Sequence, residues 1–255
     1  SVVDSLFESM SGITTTGATI LNNLDELPKG ILIWRALLQW LGGIGIVVIA
    51  LVILPFLRIG GMQLFHLEGD DPYEKFLPKI SSVVSKIIIV YVDLTLLLTI
   101  LYYLNGMILF DAIAHSFTTI STGGFSTHNE SFAYFQSNSI LNIAIIFMII
   151  GSIPFLLLAQ TSLTNILNVI KDHQVRLFFI ILIISITMIY YFARNYIDGD
   201  VFDQLSTISF NTISIISGTG YISDNFENWG NYASILFLFL MFIGGCAGST
   251  TGGPK

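Results

Sequence analysis

The sequence predicts an all-α fold, a polytopic membrane bundle built from repeated units of span, short helix and span. Of the 255 residues, 53% are hydrophobic and 11% charged, less than half the charged share of about 25% in soluble domains. Several apolar runs approach the roughly 20 residues that a helix needs to cross about 30 Å of hydrocarbon. One pattern also recurs. A helix too short to span leads into a threonine-glycine turn and then a long apolar segment, and Gly17, Gly123 and Gly220 stand 106 and 97 residues apart.

The first repeat is expected over residues 1–58. Its opening, Ser1 to Thr15, is amphipathic and too short to span, "TTTGAT" follows at Thr14–Thr19, and Ile31–Leu57 is an apolar span that ends at Pro55 and Arg58. The charged stretch 59–81, which carries two prolines, reads as a cytoplasmic connector. Repeat 2, residues 82–160, places spans over Val83–Leu104 and about Ser139–Ala159, with a short helix over Phe110–Ser121 and "STGGFST" at Ser121–Thr127. A second connector covers 161–176. Repeat 3, residues 177–255, runs from a span at Leu177–Arg194 through a short helix at Phe202–Ser217 and "SGTGYIS" at Ser217–Ser223. Its closing helix, Tyr232–Ile243, enters "GGCAGSTTGG" at Gly244–Gly253. The first repeat lacks a leading span and the third ends inside its closing helix, so the sequence reads as three repeats of a larger ring, cut at its start.

Charge placement orients the bundle. With the basic loops inside, one side holds Arg58, Lys75, Lys79, Lys86, Lys171, Arg176 and Lys255, seven of the ten basic residues. The opposite side collects eleven of the seventeen acids, among them Glu8, Asp25, Asp111 and Asp224. An acidic outer face concentrates cations at its mouth. The single Cys246 cannot form a disulfide within the chain and reads as a buried thiol.

Irregular backbone at membrane depth is tolerated only where it lines water or is buried in protein. Rings of carbonyls can replace the hydration shell of a potassium ion, and glycine lets them turn to one axis because it accepts φ > 0. Each preceding short helix ends with about half a negative charge, so several such ends aimed at one cavity favour a dehydrated cation. A phosphate cradle needs the reverse arrangement, amide hydrogens at a helix N-terminus. The plainer alternative is a set of tight extracellular turns. Nothing in the sequence pairs a nucleophile with a base, and no enzyme activity is expected.

Together "LFESMSGITTTGATIL", "WRALLQWLGGIGIVVIALVILP", "GGMQLF", "FDAIAHSFTTISTGGFSTHNESF", "FNTISIISGTGY" and "GGCAGSTTGG" resemble the TrkH-type potassium uptake proteins of the Trk/Ktr/HKT superfamily. The resemblance covers essentially the whole chain. It implies span-pore helix-span repeats around a pseudo-fourfold pore, with helices before Ser1 and a fourth repeat after Lys255. It implies a filter from Thr16, Gly17, Thr122, Gly123, Thr219 and Gly220, with potassium as substrate and no covalent cofactor. It also implies a multi-pass protein of the bacterial or archaeal inner membrane, surrounded by lipid, forming a homodimer and joined by cytoplasmic nucleotide-binding TrkA-like subunits. No nucleic-acid partner is expected. Gly244, Gly245, Gly248, Gly252 and Gly253 correspond to an intramembrane loop that closes the pore; the alternative is a helix end entering a cytoplasmic turn. A different class of function, a secondary transporter with broken helices at the midplane, would place helix N-termini at its site.

Outside the motifs, Asp111 is expected to cap its helix and His115 to hydrogen-bond into the packing. Mid-span Asp93 is expected to face protein or water, by a buried hydrogen bond or in protonated form. Arg35 could set cation repulsion or pair with an acid, with snorkelling of its charged head at the interface the simpler account, and Trp34, Trp40 and Trp229 read as interface anchors.

Overall fold

The computed structural model describes residues 1–57, 72–160 and 167–253, and among these every regular element is helical. Arg58, Lys255, most of the connector at 59–81, including "GGMQLF", and residues 161–166 of the second connector lie outside the described residues. Among the described residues, three helices are long and apolar enough to cross a membrane. They lie in α2 (Lys29–Leu57), α3 (Pro72–Leu104) and α8 (His173–Ala193).

The short helices are α1 (Val2–Ile13), α4 (Leu109–Ile120) and α9 (Val201–Ile216), with 12, 12 and 16 residues. At 1.5 Å per residue they reach about 18 to 24 Å, less than the hydrocarbon thickness. The starts of α1 and α9 follow local chemistry. Asp200, for example, accepts a hydrogen bond from the Asp203 amide and caps α9.

Residues Asn138–Gly151 form α5, Phe155–Gln160 α6, Leu167–Lys171 α7 and Asn231–Leu240 α10. The continuous span expected over Ser139–Ala159 is therefore broken between Gly151 and Phe155. Pro154 has no amide hydrogen to continue the ladder, and its ring disfavours helix in the residue before it. The closing helix α10 ends at Leu240, three residues before the glycine-rich segment begins.

Packing follows the repeats. Helix α1 lies on α2; α4 lies between α3 and α5; α9 lies against α8 and α10. Neighbouring repeats join through α2 on α4 and α5 on α9. The core gathers where repeats 2 and 3 meet: the Phe132 ring centroid is 4.4 Å from Tyr221 and 5.0 Å from Phe210, and all three side chains are fully buried.

Several side chains depart from their expected settings. Arg35 is 3% exposed, because its guanidinium meets the Glu8 carboxylate rather than the interface. Trp229 is buried, with its indole donating to Asp224 at 2.8 Å. Trp40 is half-buried and donates to Thr95 at 3.1 Å, while Trp34 stays exposed. Asp93 is exposed, off the buried stripe Ile87, Tyr91, Thr95, Leu98 and Tyr102 of α3, so the buried hydrogen bond is not made among the described residues.

Candidate cation pathway and its braces

All three short helices end in one hydrogen-bond pattern. The amides of Thr15, Thr122 and Gly218 donate three residues back, to Gly12, Thr119 and Ile215, and those of Thr16, Gly123 and Thr219 donate five residues back, to Ser11, Thr118 and Ser214. This is the Schellman ending, which needs a left-handed residue just past the helix. Thr15 (φ 55°), Thr122 (φ 49°) and Gly218 (φ 69°) occupy that position. Two residues on, each chain is left-handed again, at Gly17 (φ 78°), Gly124 (φ 82°) and Gly220 (φ 82°).

That pattern sets the register of the three loops. Gly17 and Gly220 correspond to Gly124, one residue beyond the Gly123 that sequence spacing selects, and Gly123 stands where the other loops carry Thr16 and Thr219. Two adjacent glycines in "STGG" left the register open to a slip of one, which backbone dihedrals resolve.

The loops meet. A Cβ placed on Gly17 would collide with the Gly123 carbonyl oxygen and lie 3.6 Å from that of Thr219; a Cβ on Gly124 would fall on the Thr219 carbonyl. Carbonyl oxygens of two loops thus crowd the glycines of their neighbours, with three helix C-termini behind them. Thr122, Gly123 and Thr219 are buried in this junction, whereas Thr16 and Gly220 are exposed.

Helix α2 supplies the scaffold. A Cβ on Gly42 would strike the Ile13 carbonyl, and one on Gly43 would stand 2.7 Å from Ser121 Cβ. These adjacent glycines therefore let one helix touch the C-terminal ends of both α1 and α4. Arg35 and Gln39, four apart, share a face one turn toward the loops. The Arg35 Nε donates to Glu8 Oε1 at 2.6 Å and its Nη2 to Thr19 Oγ1 at 3.1 Å, and the guanidinium sits 4.1 Å from the Phe125 ring centroid. Gln39 Nε2 donates to the Gly123 carbonyl at 2.7 Å while its Oε1 accepts from the Phe125 amide at 3.0 Å.

The glycine-rich segment folds back onto the break between α5 and α6. There the Cys246 amide donates to Ser152 O at 3.0 Å, the Thr250 amide to Gly151 O at 3.2 Å, and the Phe155 amide to Gly248 O at 3.0 Å. Backbone groups released by the broken helix are thus paired by a loop from another repeat, as backbone at membrane depth requires. Thr250 Oγ1 lies within 3.1 Å of Ile120 O, at the end of α4, and within 3.3 Å of Thr122 Oγ1. Gly244 (φ 72°) and Gly253 (φ 101°) close the loop at its neck, where a Cβ on Gly244 would stand 3.0 Å from Gly253 Cα. Gly245 packs on Thr251, Gly248 (φ 78°) makes a left-handed turn, and a Cβ on Gly252 would meet open space.

The TrkH family model, described as a cation transport protein, matches residues 1–255. The chain belongs to the TrkH family. It is 39% identical over 258 residues to the Trk system potassium uptake protein TrkI of Halomonas elongata, covering 100% of this chain and 52% of that protein. To the Trk system potassium uptake protein TrkH of Vibrio parahaemolyticus it is 41% identical over 261 residues, covering 100% of this chain and 54% of that one. The crystal structure of the potassium transporter TrkH from Vibrio parahaemolyticus superposes with a TM-score of 0.88 at 39% identity, over 99% of this chain and 52% of that one. The chain spans about half the length of the curated relatives it matches. It is a member of a transport family, and its long apolar helices suit a membrane protein.

Beyond its first two loops, this TrkH-family chain carries a latch that its motifs did not disclose. His128 Nδ1 lies 2.5 Å from Asp25 Oδ1 and its Nε2 3.2 Å from Asp111 Oδ2, while Asn129 Nδ2 donates to Asp25 at 2.8 Å. This ties the segment after the first loop to the segment after the second. Asp111 does not cap α4, whose N-cap is Ile108; it accepts from Thr127 at 2.8 Å instead. His115 does bond into the packing, through Asp111 O at 2.9 Å and Ser126 Oγ at 3.0 Å.

Burial depresses the His128 pKa, but hydrogen bonds to Asp111 and then Asp25 outweigh it, leaving the imidazole above its ordinary 6.5. The same bond holds Asp25 below 3.8. For Asp111, burial raises the pKa but is outweighed by the His128 and Thr127 hydrogen bonds, so it too lies below 3.8. The raised histidine stabilises the fold fully below 6.5 and loses that contribution as pH climbs through its folded value. The aspartates contribute above 3.8 and lose it as pH falls through their depressed values. The melting-temperature gap between wild type and His128→Asn is therefore expected to be widest near pH 6 and to narrow at alkaline pH.

Proposed function

We propose that the chain is part of a potassium uptake subunit, passing the ion through a filter of backbone oxygens. The observation that carries this reading is the meeting of three Schellman-ended helix C-termini at loops of identical left-handed pattern. Helix C-termini favour a cation and would repel the carboxylate that a helix N-terminus attracts, which supports an ion pathway over an organic-solute site. Carbonyls of Thr16, Gly17, Thr122, Gly123, Thr219 and Gly220 are the proposed ligands, with Gly124 the structural counterpart of Gly17. Uptake would draw on the membrane potential, at about 2.3 kcal/mol per charge per 100 mV.

The loop of Gly244, Gly245, Gly248, Gly252 and Gly253 is proposed as the gate below this filter. The potassium uptake proteins it resembles belong, by name, to a Trk system, and we assign this chain the same context: a multi-pass protein of the inner membrane, a homodimer, regulated by cytoplasmic nucleotide-binding TrkA-like subunits. Repeats at 1–58, 82–160 and 177–255 are its proposed working units.

An anomalous difference map of the full-length protein soaked in rubidium or thallium tests the site. Density ringed by residues 16–17, 122–124 and 219–220 is expected. Density confined elsewhere would overturn the assignment.

A further inference from the structure

Loops 1 and 3 brace themselves. In the first, Thr14 Oγ1 lies 2.8 Å from Thr16 Oγ1; in the third, Ser217 Oγ lies 2.6 Å from Thr219 Oγ1. Each pair joins the residue that caps the C-terminus of the short helix to the residue between the two left-handed positions. Loop 2 has the first partner, Ser121, but Gly123 stands at the second position and offers no side chain. Ser121 Oγ donates to Phe117 O at 2.8 Å, as Thr14 Oγ1 also does to Met10 O at 2.6 Å, but it has no hydroxyl partner in its own loop.

The vacant side-chain space is filled from another helix. A Cβ on Gly123 would stand 2.5 Å from Gln39 Oε1 and 2.9 Å from Gln39 Nε2, so the amide of Gln39 lies where the threonine side chain lies in the other loops. Gln39 is wholly buried, at 0% exposure, and both ends of its amide are used, on the Gly123 carbonyl and the Phe125 amide. A glutamine in an apolar span must find such partners, since an unpaired buried amide is costly.

We infer that Gln39 is a positioning residue for ion selectivity, standing in from α2 for the hydroxyl that loop 2 lacks. The inference rests on the reading of these loops as the filter. Gln39 holds the Gly123 carbonyl by donating to it, which fixes its direction and withdraws part of its charge from the ion. Loop 2 therefore presents a carbonyl of different field strength from loops 1 and 3, and its geometry depends on a side chain outside the loop.

The test is competitive rubidium and sodium uptake by the full-length protein in proteoliposomes. Gln39→Met keeps the volume and removes both hydrogen bonds; it is expected to lower rubidium preference about tenfold. Gly123→Thr alone drives its side chain into Gln39 and is expected to do the same. The double variant Gln39→Ala with Gly123→Thr rebuilds the arrangement of loops 1 and 3, and preference is expected to return most of the way to wild type. A Gln39→Met protein that melts lower but keeps its ion preference would overturn the inference, as would a double variant no better than Gly123→Thr. Wild type without preference for rubidium over sodium would remove the filter reading itself, and the inference with it.

Discussion

Gly124→Ala in the full-length protein is expected to abolish cation uptake. Two effects combine at this position. The backbone is left-handed at φ 82°, which costs an ordinary residue about 1–2 kcal/mol. The new Cβ would also fall on the Thr219 carbonyl oxygen, which is backbone and cannot swing aside like a side chain. Relief requires one loop to move away from the other, and sub-ångström placement of oxygens is what an ion site depends on. A drop of more than about a hundredfold in rubidium uptake corresponds to roughly 3 kcal/mol, within reach of strain and collision together. Gly45→Ala is the control. It sits in the same bundle with nothing within 4 Å of its Cβ and is expected to leave uptake unchanged while stabilising α2 by up to about 1 kcal/mol. Full uptake by Gly124→Ala would mean that the second and third loops do not meet as described.

Arg35→Met is expected to give the largest loss of stability. The guanidinium and the Glu8 carboxylate are buried together, and removing one partner of a buried pair typically costs about 3–5 kcal/mol because the other charge is left uncompensated. Two further effects add to this: Thr19 loses a donor and Phe125 loses the cation over its ring. The double variant Glu8→Gln with Arg35→Met removes the stranded charge and should recover a large part of the loss, since apolar replacement of a whole buried pair is often neutral. Melting temperatures of the detergent-solubilised protein, read by tryptophan fluorescence, measure both. Equal destabilisation by the single and double variants would show that the carboxylate is not stranded by losing Arg35.

The legible part of this fold was whatever repeats or has a characteristic length. Short helices, spans and loops appear close to their expected places because a 12-residue amphipathic helix and a 29-residue apolar one differ in both length and pattern. What escaped was pairing between elements distant in sequence. Pairing with an acid was open to Arg35, but nothing in its position in α2 singles out Glu8, 27 residues earlier. The break in α5 was signalled by Pro154, yet an apolar run from Ser139 to Ala159 outweighed it. Register in the second loop was lost to the doubled glycine. Gln39 and the Gly42–Gly43 pair carried a readable signal, a polar residue and two adjacent small ones inside a span, without any indication of what they touch.

The glycine-rich loop and the broken helix share their hydrogen bonds, and that has a consequence for movement. Gly151 O and Ser152 O have lost their helical partners, and the Phe155 amide has lost its own. Any displacement of the loop strips all three at once, at membrane depth, where lipid can supply no replacement. Only water can. In the gate proposed for this loop, opening and wetting are therefore one event, and a dry, displaced loop leaves those backbone groups unpaired.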